Sequence, residues 1–463
     1  MPEINLEDTI AAISTPPGEG GIGIVRLSGK NAISIAACMF RSANGINLCD
    51  QESHTIHFGI IYDGEGSPID QVLVSIFRCP KSYTAEDVIE ISAHGGSLIL
   101  KKILDLTLSF GARHAEPGEF TRRAFLNGRI DLTQAEGVLD LIRAKTDRSL
   151  EIALRQLNGK LSQELNSIQN ELMKLYAHLE AYLDFPDEHL EVYSNHDFKS
   201  RFQKVAEQIK RLIDSFSKGE ILREGVVVII VGRPNVGKSS LLNALLNRDR
   251  ALVSDIPGTT RDILEESIVL DGLWVRLVDT AGLWHSTDSL DRAAMEHTQR
   301  YLEEGDLFLW VLDGTDGLLE EDRLILERLK GKKVVPVVNK IDRGGRKIIP
   351  SELEKVSGGL TPIFLSAKTR EGLENLEKKI VDLILGTELA QESIVITRLR
   401  HKRALEASWE ALEKSFQTFL NRESLEFVAL DLKQSLDALK ELVGEIYSED
   451  LLDVIFKEFC IGK

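Results

Sequence analysis

The segment GRPNVGKSS, which begins at Gly232, has the spacing of a phosphate-binding loop. The apolar run GVVVIIV precedes it and SLLNALL follows it, so we expect a buried strand before the loop and a helix after it. In such a loop the glycines let backbone N–H groups wrap the phosphates, Lys238 reaches the β- and γ-phosphates, and the Ser239 hydroxyl ligates magnesium. The segment therefore predicts a nucleoside triphosphate site, with its second glycine at Gly237.

Further segments predict that the base is guanine. In NKID, Asn339 and Asp342 follow an apolar strand, and the aspartate can accept from N1–H and the 2-amino group, a donor pattern that adenine lacks. SAK adds a backbone contact to the guanine oxygen, DTAG gives a γ-phosphate sensor in which Asp279 reaches magnesium through water, and SDIPGTTRD is a switch loop whose Thr260 offers magnesium a hydroxyl. The predicted GTP-binding residues are Asn235, Val236, Gly237, Lys238, Ser239, Ser240, Ser254, Asp255, Ile256, Pro257, Gly258, Thr259, Thr260, Asp279, Thr280, Ala281, Gly282, Asn339, Lys340, Asp342, Ser366, Ala367 and Lys368.

The segment after DTAG lacks the glutamine that orients water in Ras-like enzymes. Leu283 stands there, and an alkyl chain cannot orient water. Arg261 lies in the switch loop, but a solvated surface arginine is the simpler interpretation. Help for hydrolysis must therefore come from elsewhere.

Composition limits the class of protein. The 463 residues are 43% apolar and carry a net charge of −17, which argues against a general nucleic-acid coat because phosphate binding depends on Lys and Arg. Four cysteines form no CxxC pair, and the sequence contains no long apolar run and no apparent secretory signal. We therefore expect a cytoplasmic protein.

The chain changes pattern along its length. Short apolar runs such as GIGIVRLSG and EDVIEISAHGG predict an N-terminal α+β domain over residues 1–125. Leucines at helical spacing from Leu154 to Leu183 predict one long amphipathic helix that DFPDE ends. Alternating strands and helices predict an α/β P-loop GTPase domain over 221–385, inserted into a helical bundle domain formed by 126–220 and 386–463. The predicted fold class is thus multidomain α/β.

Several segments together resemble the bacterial and organellar tRNA-modification GTPase family called MnmE or TrmE. The GTPase segments are shared with relatives in ribosome assembly, whereas the more discriminating segments are TPPGEGGIGIVRLSG, YTAEDVIEISAHGG, PGEFTRRAFLNGRIDLTQAEGVLDLI, DFPDE and FCIGK. The resemblance covers essentially the whole chain. It implies that the protein, with a flavin-dependent partner whose FAD stays on that partner, adds an aminomethyl-type (carboxymethylaminomethyl) group to C5 of the wobble uridine of certain tRNAs, using a one-carbon tetrahydrofolate.

The resemblance also implies how hydrolysis is assisted. In that family a potassium ion near the phosphates takes the place of an arginine finger, and it offsets the charge that builds up in phosphoryl transfer. The matching potassium ligands are Asn235, Ser254, Ile256 and Thr259. The family's water-positioning glutamate matches Asp291, which is one methylene shorter, and Asp288 and Glu296 stay open as alternatives.

The N-terminal domain resembles the folate-binding domain of the glycine-cleavage T-protein. The matching folate contacts are Arg26, Glu90, Arg129 and Lys463, and Arg129 stands where a lysine is usual. Cys460 in FCIGK fits a prenylation signal poorly. It is either an inert cysteine or, as the resemblance implies, a thiol for the modification chemistry. The family further implies a homodimer through the N-terminal domains and a heterotetramer with the flavoprotein.

Two alternative functions would require other features of the chain. A ribosome-assembly GTPase needs a basic RNA-binding domain such as KH after residue 390, where the sequence is amphipathic and helical without an evident GXXG loop. A folate-dependent aminomethyl transferase with a regulatory GTPase domain differs in whether it needs the partner. The run TRLRHKR, from Thr397 to Arg403, is either a solvated helix face or a contact to the tRNA backbone.

Overall fold

The computed structural model describes residues 7–184, 195–247, 265–279, 303–345, 347–386 and 394–463. The chain divides into two compact units. One contains Met1–Ile142, Leu154–Glu207 and Ala404–Lys463, and the other contains Arg143–Ala153 and Gln208–Arg403. Within the described ranges, no helix is long and apolar enough to cross a membrane.

The first unit contains a seven-stranded sheet in the order β3-β4-β5-β6-β2-β1-β7. Its neighbouring strands are antiparallel except for the parallel pair of β1 and β7. The strands are β1 (Ile10–Ile13), β2 (Gly20–Ser28), β3 (Phe40–Ser42), β4 (Thr55–Tyr62), β5 (Pro68–Phe77), β6 (Val88–Gly95) and β7 (Arg113–His114).

Alternation along these strands separates two faces of the sheet. Helices α1 (Ala32–Met39) and α2 (Ser97–Ser109) pack on one face, over a core that includes Leu27, Val74 and Ile91. The opposite face carries Arg26 on β2 directly beside Glu90 on β6. The sheet therefore offers one apolar, covered face and one face on which polar side chains can meet.

The helices before and after the second sheet in the sequence are α3 (Glu119–Leu126), α4 (Leu132–Arg143), α5 (Asp147–Leu157), α6 (Lys160–Asp184), α7 (Asn195–Glu224), α12 (Leu399–Leu420), α13 (Leu425–Val443) and α14 (Glu449–Lys457). Most of α5, parts of α7 and α12 and the last residue of α4 belong to the second unit, and the rest to the first. Phe202 on α7 stacks on Phe416 of α12 with ring centroids 5.3 Å apart, so segments distant in sequence share a core. The predicted domain boundaries at 125, 220 and 385 stay a prediction.

The prediction of one continuous helix from Leu154 to Leu183 is wrong. Helix α5 ends at Leu157 and α6 begins at Lys160, with Gly159 between them at φ +74°. This left-handed conformation favours glycine and interrupts a helix. Leu154 is consequently exposed, whereas α6 buries its own stripe of Leu161, Leu165, Ile168, Leu172, Leu175 and Leu179.

The second unit contains a six-stranded sheet in the order β13-β12-β11-β8-β10-β9. Its strands are β8 (Val226–Val231), β9 (Glu265–Leu270), β10 (Leu273–Asp279), β11 (Leu307–Asp313), β12 (Val334–Asn339) and β13 (Ile363–Phe364). Its helices include α8 (Lys238–Leu246), α9 (Glu320–Arg328), α10 (Pro350–Val356) and α11 (Leu373–Leu385). Only the β9–β10 pair is antiparallel among these strands.

Strands β8, β11 and β12 are buried along their whole length, as the apolar run before the phosphate loop predicts. Because β8, β10, β11 and β12 are parallel, their carboxyl ends lie at one edge of the sheet. The predicted fold class, multidomain α/β with a P-loop α/β domain, is confirmed. That edge is where the site residues converge.

Candidate functional site

The phosphate loop joins β8 to α8. Gly237 has φ +99°, and a Cβ there would lie 2.3 Å from the Nδ2 atom of Asn339, so no other residue fits without a shift. The Lys238 ammonium is buried and donates to the carbonyls of Gly232 and Arg233, both at 2.8 Å. Burial lowers the pKa of Lys238, and the Asp279 carboxylate opposes that shift. The loop thus curves around a cation, as phosphate binding requires.

A hydroxyl and a carboxylate meet beside the loop. The Ser239 hydroxyl donates to Oδ2 of Asp279 at 2.7 Å. The second carboxylate oxygen of Asp279, Oδ1, is buried and has no hydrogen-bond partner among the residues that the structure describes. Magnesium prefers such hard oxygen ligands. A buried carboxylate oxygen without a partner costs free energy of folding, which a bound cation would offset. Ser239 and Asp279 therefore fit the predicted magnesium site.

Asn339 joins three loops at the base-recognition end. Its amide nitrogen donates to the Val236 carbonyl at 2.9 Å, and its amide oxygen accepts from the backbone N–H of Ala367 at 3.0 Å. The side chain is buried, so both bonds lie away from solvent. Asn339 thereby fixes the phosphate loop and the SAK loop relative to NKID.

Asp342 is exposed. The Ser366 hydroxyl donates to its Oδ1 atom at 2.7 Å. That hydrogen bond is the main cause that lowers the pKa of Asp342, so the carboxylate is ionised at neutral pH. Ser366 also accepts from the Thr369 N–H at 3.1 Å, which fixes its hydroxyl. An ionised, oriented acceptor is what recognition of the two guanine donors requires.

A second group of predicted residues lies on the open face of the first sheet. The Arg26 guanidinium donates from Nε to Oε1 of Glu90 at 2.9 Å and contacts the Tyr83 ring at 5.5 Å. Arg129 lies over the same ring at 5.1 Å and donates to the Tyr83 carbonyl at 2.6 Å. Lys463 is half-buried beside Arg26 and Glu90. We call Arg26, Tyr83, Glu90, Arg129 and Lys463 the Arg26 cluster.

The segment after α14 reaches this cluster through backbone contacts. Nη1 of Arg26 and the Ser14 hydroxyl both donate to the Gly462 carbonyl at 3.2 Å. The Gly118 N–H donates to the Cys460 carbonyl at 3.5 Å, and Cys460 itself is exposed. The four predicted folate contacts are thus brought together, with an exposed thiol three residues from Lys463.

Two family models match the chain. The model for the N-terminus of the GTP-binding protein TrmE matches residues 9–129. The model for the MnmE helical domain matches residues 132–460. The tRNA modification GTPase MnmE of Carboxydothermus hydrogenoformans is 43% identical over 460 residues, which cover 99% of this chain and 100% of that relative. The MnmE of Moorella thermoacetica is 45% identical over 463 residues, which cover 99% and 100%.

The chain belongs to the MnmE family of tRNA modification GTPases. The predicted enzyme class, a GTP hydrolase involved in tRNA modification, is confirmed by this membership. Among solved structures, the G domain of the T. maritima FeoB iron transporter is 34% identical and matches 34% of this chain and 97% of that domain. Its TM-score of 0.28 is too low to bear on the fold.

Part of the predicted MnmE-type site lies outside the described residues. Asn235, an exposed residue at φ +62°, is the described member of the predicted potassium ligands. Of the other described positions, Ser240 and Lys368 are exposed. The predicted residues outside the described ranges are Ser254, Asp255, Ile256, Pro257, Gly258, Thr259, Thr260, Thr280, Ala281, Gly282 and Asp291, together with its alternatives Asp288 and Glu296.

Sequence reasoning missed two residues of these sites. Asp313 ends β11 and accepts from the Lys340 ammonium at 2.5 Å, and its only signal is a carboxylate at the carboxyl end of a buried strand. Tyr83 joins Arg26 to Arg129, and nothing in the sequence distinguishes it from a core tyrosine.

The basic run from Thr397 to Arg403, at the start of α12, is less exposed than its charge suggests. Arg398 and His401 are buried, and Lys402 lies over the Phe216 ring at 5.1 Å. Arg403 is exposed. The run is therefore not a solvated helix face throughout, and few of its cations are free to contact a tRNA backbone.

Proposed function

We propose that the protein is a potassium-stimulated GTPase that acts with a flavin-dependent partner on the wobble uridine of certain tRNAs. The pair would add an aminomethyl-type (carboxymethylaminomethyl) group to C5 of uridine 34, with the carbon supplied by a 5-formyl- or 5,10-methylene-tetrahydrofolate. The observation that carries the proposal is the presence of two separate sites in one MnmE-family chain, a guanine-nucleotide site and the Arg26 cluster.

The nucleotide site supports the GTPase part of the proposal. Backbone N–H groups of the phosphate loop and the Lys238 ammonium would hold the phosphates, while Asp342 selects guanine. A magnesium ion held by Ser239 and Asp279 would supply positive charge against the negative charge that develops in phosphoryl transfer.

The potassium part depends on Asn235. It is exposed at the phosphate loop, so its side-chain amide oxygen is accessible to a cation. Oxygen atoms of Ser254, of Thr259 and of the Ile256 backbone would complete that site. Asp291 would position the attacking water, with Asp288 and Glu296 as alternatives.

The Arg26 cluster supports the one-carbon part. Arg129 and Lys463 would hold carboxylates of a folate tail, Glu90 would accept from ring amino groups, and the Tyr83 ring offers an apolar surface. Cys460 lies exposed beside this cluster, where a thiol can act on a bound one-carbon unit or on the base. The folate itself supplies the carbon.

The open face of the first sheet supports a homodimer. Ile56 and Phe58 on β4 and Leu73 on β5 are 66%, 52% and 46% exposed, and Phe58 lies directly beside Leu73. A second copy of the chain would cover these apolar side chains, and the flavoprotein would complete a heterotetramer in the cytoplasm. Phe58→Glu should convert a dimer to a monomer in sedimentation velocity, and an unchanged dimer would move the interface elsewhere.

Reconstitution tests the proposed function directly. The protein, the flavoprotein, GTP, potassium, magnesium and a one-carbon folate are incubated with tRNA, and nucleosides are analysed by mass spectrometry. Modification of uridine 34 that needs every component is expected, and unmodified uridine 34 in the complete mixture contradicts the proposal. GTP hydrolysis in potassium is compared with sodium in parallel, and equal rates contradict the assignment of Asn235.

A further inference from the structure

Both carboxylate oxygens of Asp313 accept hydrogen bonds. Oδ1 accepts from the backbone N–H of Thr315 at 2.9 Å and from its hydroxyl at 2.7 Å, while Oδ2 accepts from the Lys340 ammonium at 2.5 Å. The residue is 4% exposed. Burial alone would raise the pKa of Asp313, but the hydrogen bonds from Lys340 and Thr315 outweigh it and the net pKa is lowered. The carboxylate is therefore charged and held in one orientation.

The register of the sheet fixes where this charge lies. Asp313 is the last residue of β11 and pairs in parallel with Asn339, the last residue of β12. Lys340 follows directly and has a left-handed φ of +66°. Both carboxylate and ammonium thus sit at the strand edge where the site is built, at positions that the two central strands determine.

The Lys340 side chain connects Asp313 to the phosphate loop. Its ammonium donates to the Asn235 carbonyl as well as to Asp313. Asn235 has φ +62°, a left-handed conformation that asparagine adopts more readily than most residues with a side chain. A single ammonium therefore ties the base-recognition loop to the phosphate loop, next to the uncharged tie from Asn339 to the Val236 carbonyl.

We propose that Asp313 is a positioning residue of the nucleotide site, which holds Lys340 against the Asn235 carbonyl and so slows the release of guanine nucleotide. This rests on the guanine-nucleotide site of the proposed function. Without the carboxylate, the ammonium loses one of its two acceptors and is free to leave the carbonyl for water. The two loops that enclose the base and the phosphates would then separate more often.

Asp313→Asn tests this inference, because asparagine keeps the shape and can still accept from Thr315. The dissociation rate of a fluorescent GDP analogue, chased with excess GDP, is measured by stopped flow in the full chain. We expect release of the GDP analogue to be about tenfold faster. Release of a non-hydrolysable GTP analogue should accelerate by a similar factor, because the contact from Lys340 to Asn235 does not involve the γ-phosphate.

Asp306→Asn is the matched control. Asp306 precedes the same strand, accepts from the Val227 N–H at 2.8 Å, and lies about 23 Å away by strand length.

A double substitution separates positioning from a general loss of stability. If Asp313 acts through Lys340, Asp313→Asn should add little to the release rate of Lys340→Ala, because the tie is already absent. Multiplied effects in the double variant, or unchanged release in Asp313→Asn with only a lower melting temperature, would overturn the inference. A wild-type chain that binds no guanine nucleotide would overturn the nucleotide site as well, so the two failures are distinguishable.

Discussion

The nucleotide site and the Arg26 cluster are assembled from the chain in different ways. The phosphate loop, DTAG, NKID and SAK each follow one of the parallel strands of a single sheet, so their side chains meet because the strand ends meet. The Arg26 cluster instead combines β2, β6, the turn after α3 and the segment after α14, and the contact between Arg26 and Gly462 spans 436 positions. One site therefore depends on local loop geometry, and the other depends on distant segments staying docked.

That difference predicts that each site can be damaged without the other. A change in a loop of the nucleotide site should alter nucleotide binding and leave the proposed folate binding intact. A change in the docking of the segment after α14 should do the reverse. The following variants test that separation.

Cys460→Ser should have the largest effect. If the thiol acts on the reacting atoms, modification of uridine 34 should fall on the order of 10²-fold or more, the usual consequence of losing one such group. GTP hydrolysis should be unchanged, because the thiol is exposed and contributes only its backbone carbonyl to the docking contact. Initial rates of both reactions are measured on the same preparation.

Cys38→Ser is the control, since Cys38 is another exposed cysteine of the same unit. It should leave both rates unchanged. A loss of modification and hydrolysis together in Cys460→Ser would instead assign the cysteine a structural role.

Asp342→Asn should damage the other site. The ionised carboxylate would be replaced by an amide, which cannot accept from both guanine donors, and affinity for GDP should fall on the order of 10²-fold. The amide can donate to the extra oxygen of xanthine, so affinity for XDP should rise. Equilibrium binding of GDP, XDP and 5-formyltetrahydrofolate is compared. A parallel loss of folate affinity would contradict the independence of the two sites.

The sequence predicts these two sites unequally well, for a physical reason. The phosphate loop, NKID and SAK carry their function in adjacent residues, so spacing alone indicates Lys238, Asn339 and Asp342. Asp313 acts across two strands, and Tyr83 becomes part of a site only when the chain folds, so no spacing marks them.

The same limit explains the errors in the helices. Leucine spacing continues across Gly159, and only the left-handed backbone at that glycine shows that the stripe belongs to two helices. The charge of the run from Thr397 to Arg403 predicts exposure, whereas tertiary packing buries Arg398 and His401. The sequence pattern indicates local helix or strand conformation, whereas burial depends on tertiary contacts that the pattern does not specify.

Arg122→Met should weaken the Arg26 cluster from a distance. Arg122 is buried on α3 and pairs with Asp453 at 2.8 Å and with Glu449, both on α14, which holds the segment that follows. Removing the cation leaves Asp453 without this partner, and we expect affinity for 5-formyltetrahydrofolate to fall about tenfold, less than for a fully buried ion pair because Glu449 is largely exposed. GDP affinity should stay the same.

Lys457→Met is the control, because Lys457 is an exposed cation on α14, the helix that carries Asp453 and Glu449. Equal folate affinity in Arg122→Met and the wild type would show that the ion pairs do not hold the docked segment in place. Isothermal titration with each nucleotide and with the folate gives both comparisons.

The smallest expected effect is a pH dependence confined to the Arg26 cluster. Burial lowers the pKa of Lys463, and the positive charge of Arg26 lowers it further, against the opposing effect of Glu90 and Cys460. A lowered lysine pKa means that the cation is present at low pH and is lost, as pH rises, earlier than in a free lysine. If Lys463 holds a folate carboxylate, the dissociation constant of 5-formyltetrahydrofolate should rise a few-fold between neutral and alkaline pH. Lys463→Arg should flatten this rise, because arginine stays charged throughout. The same slope in both proteins would remove Lys463 from folate binding, and an equal slope for GDP would place the titrating group outside the cluster.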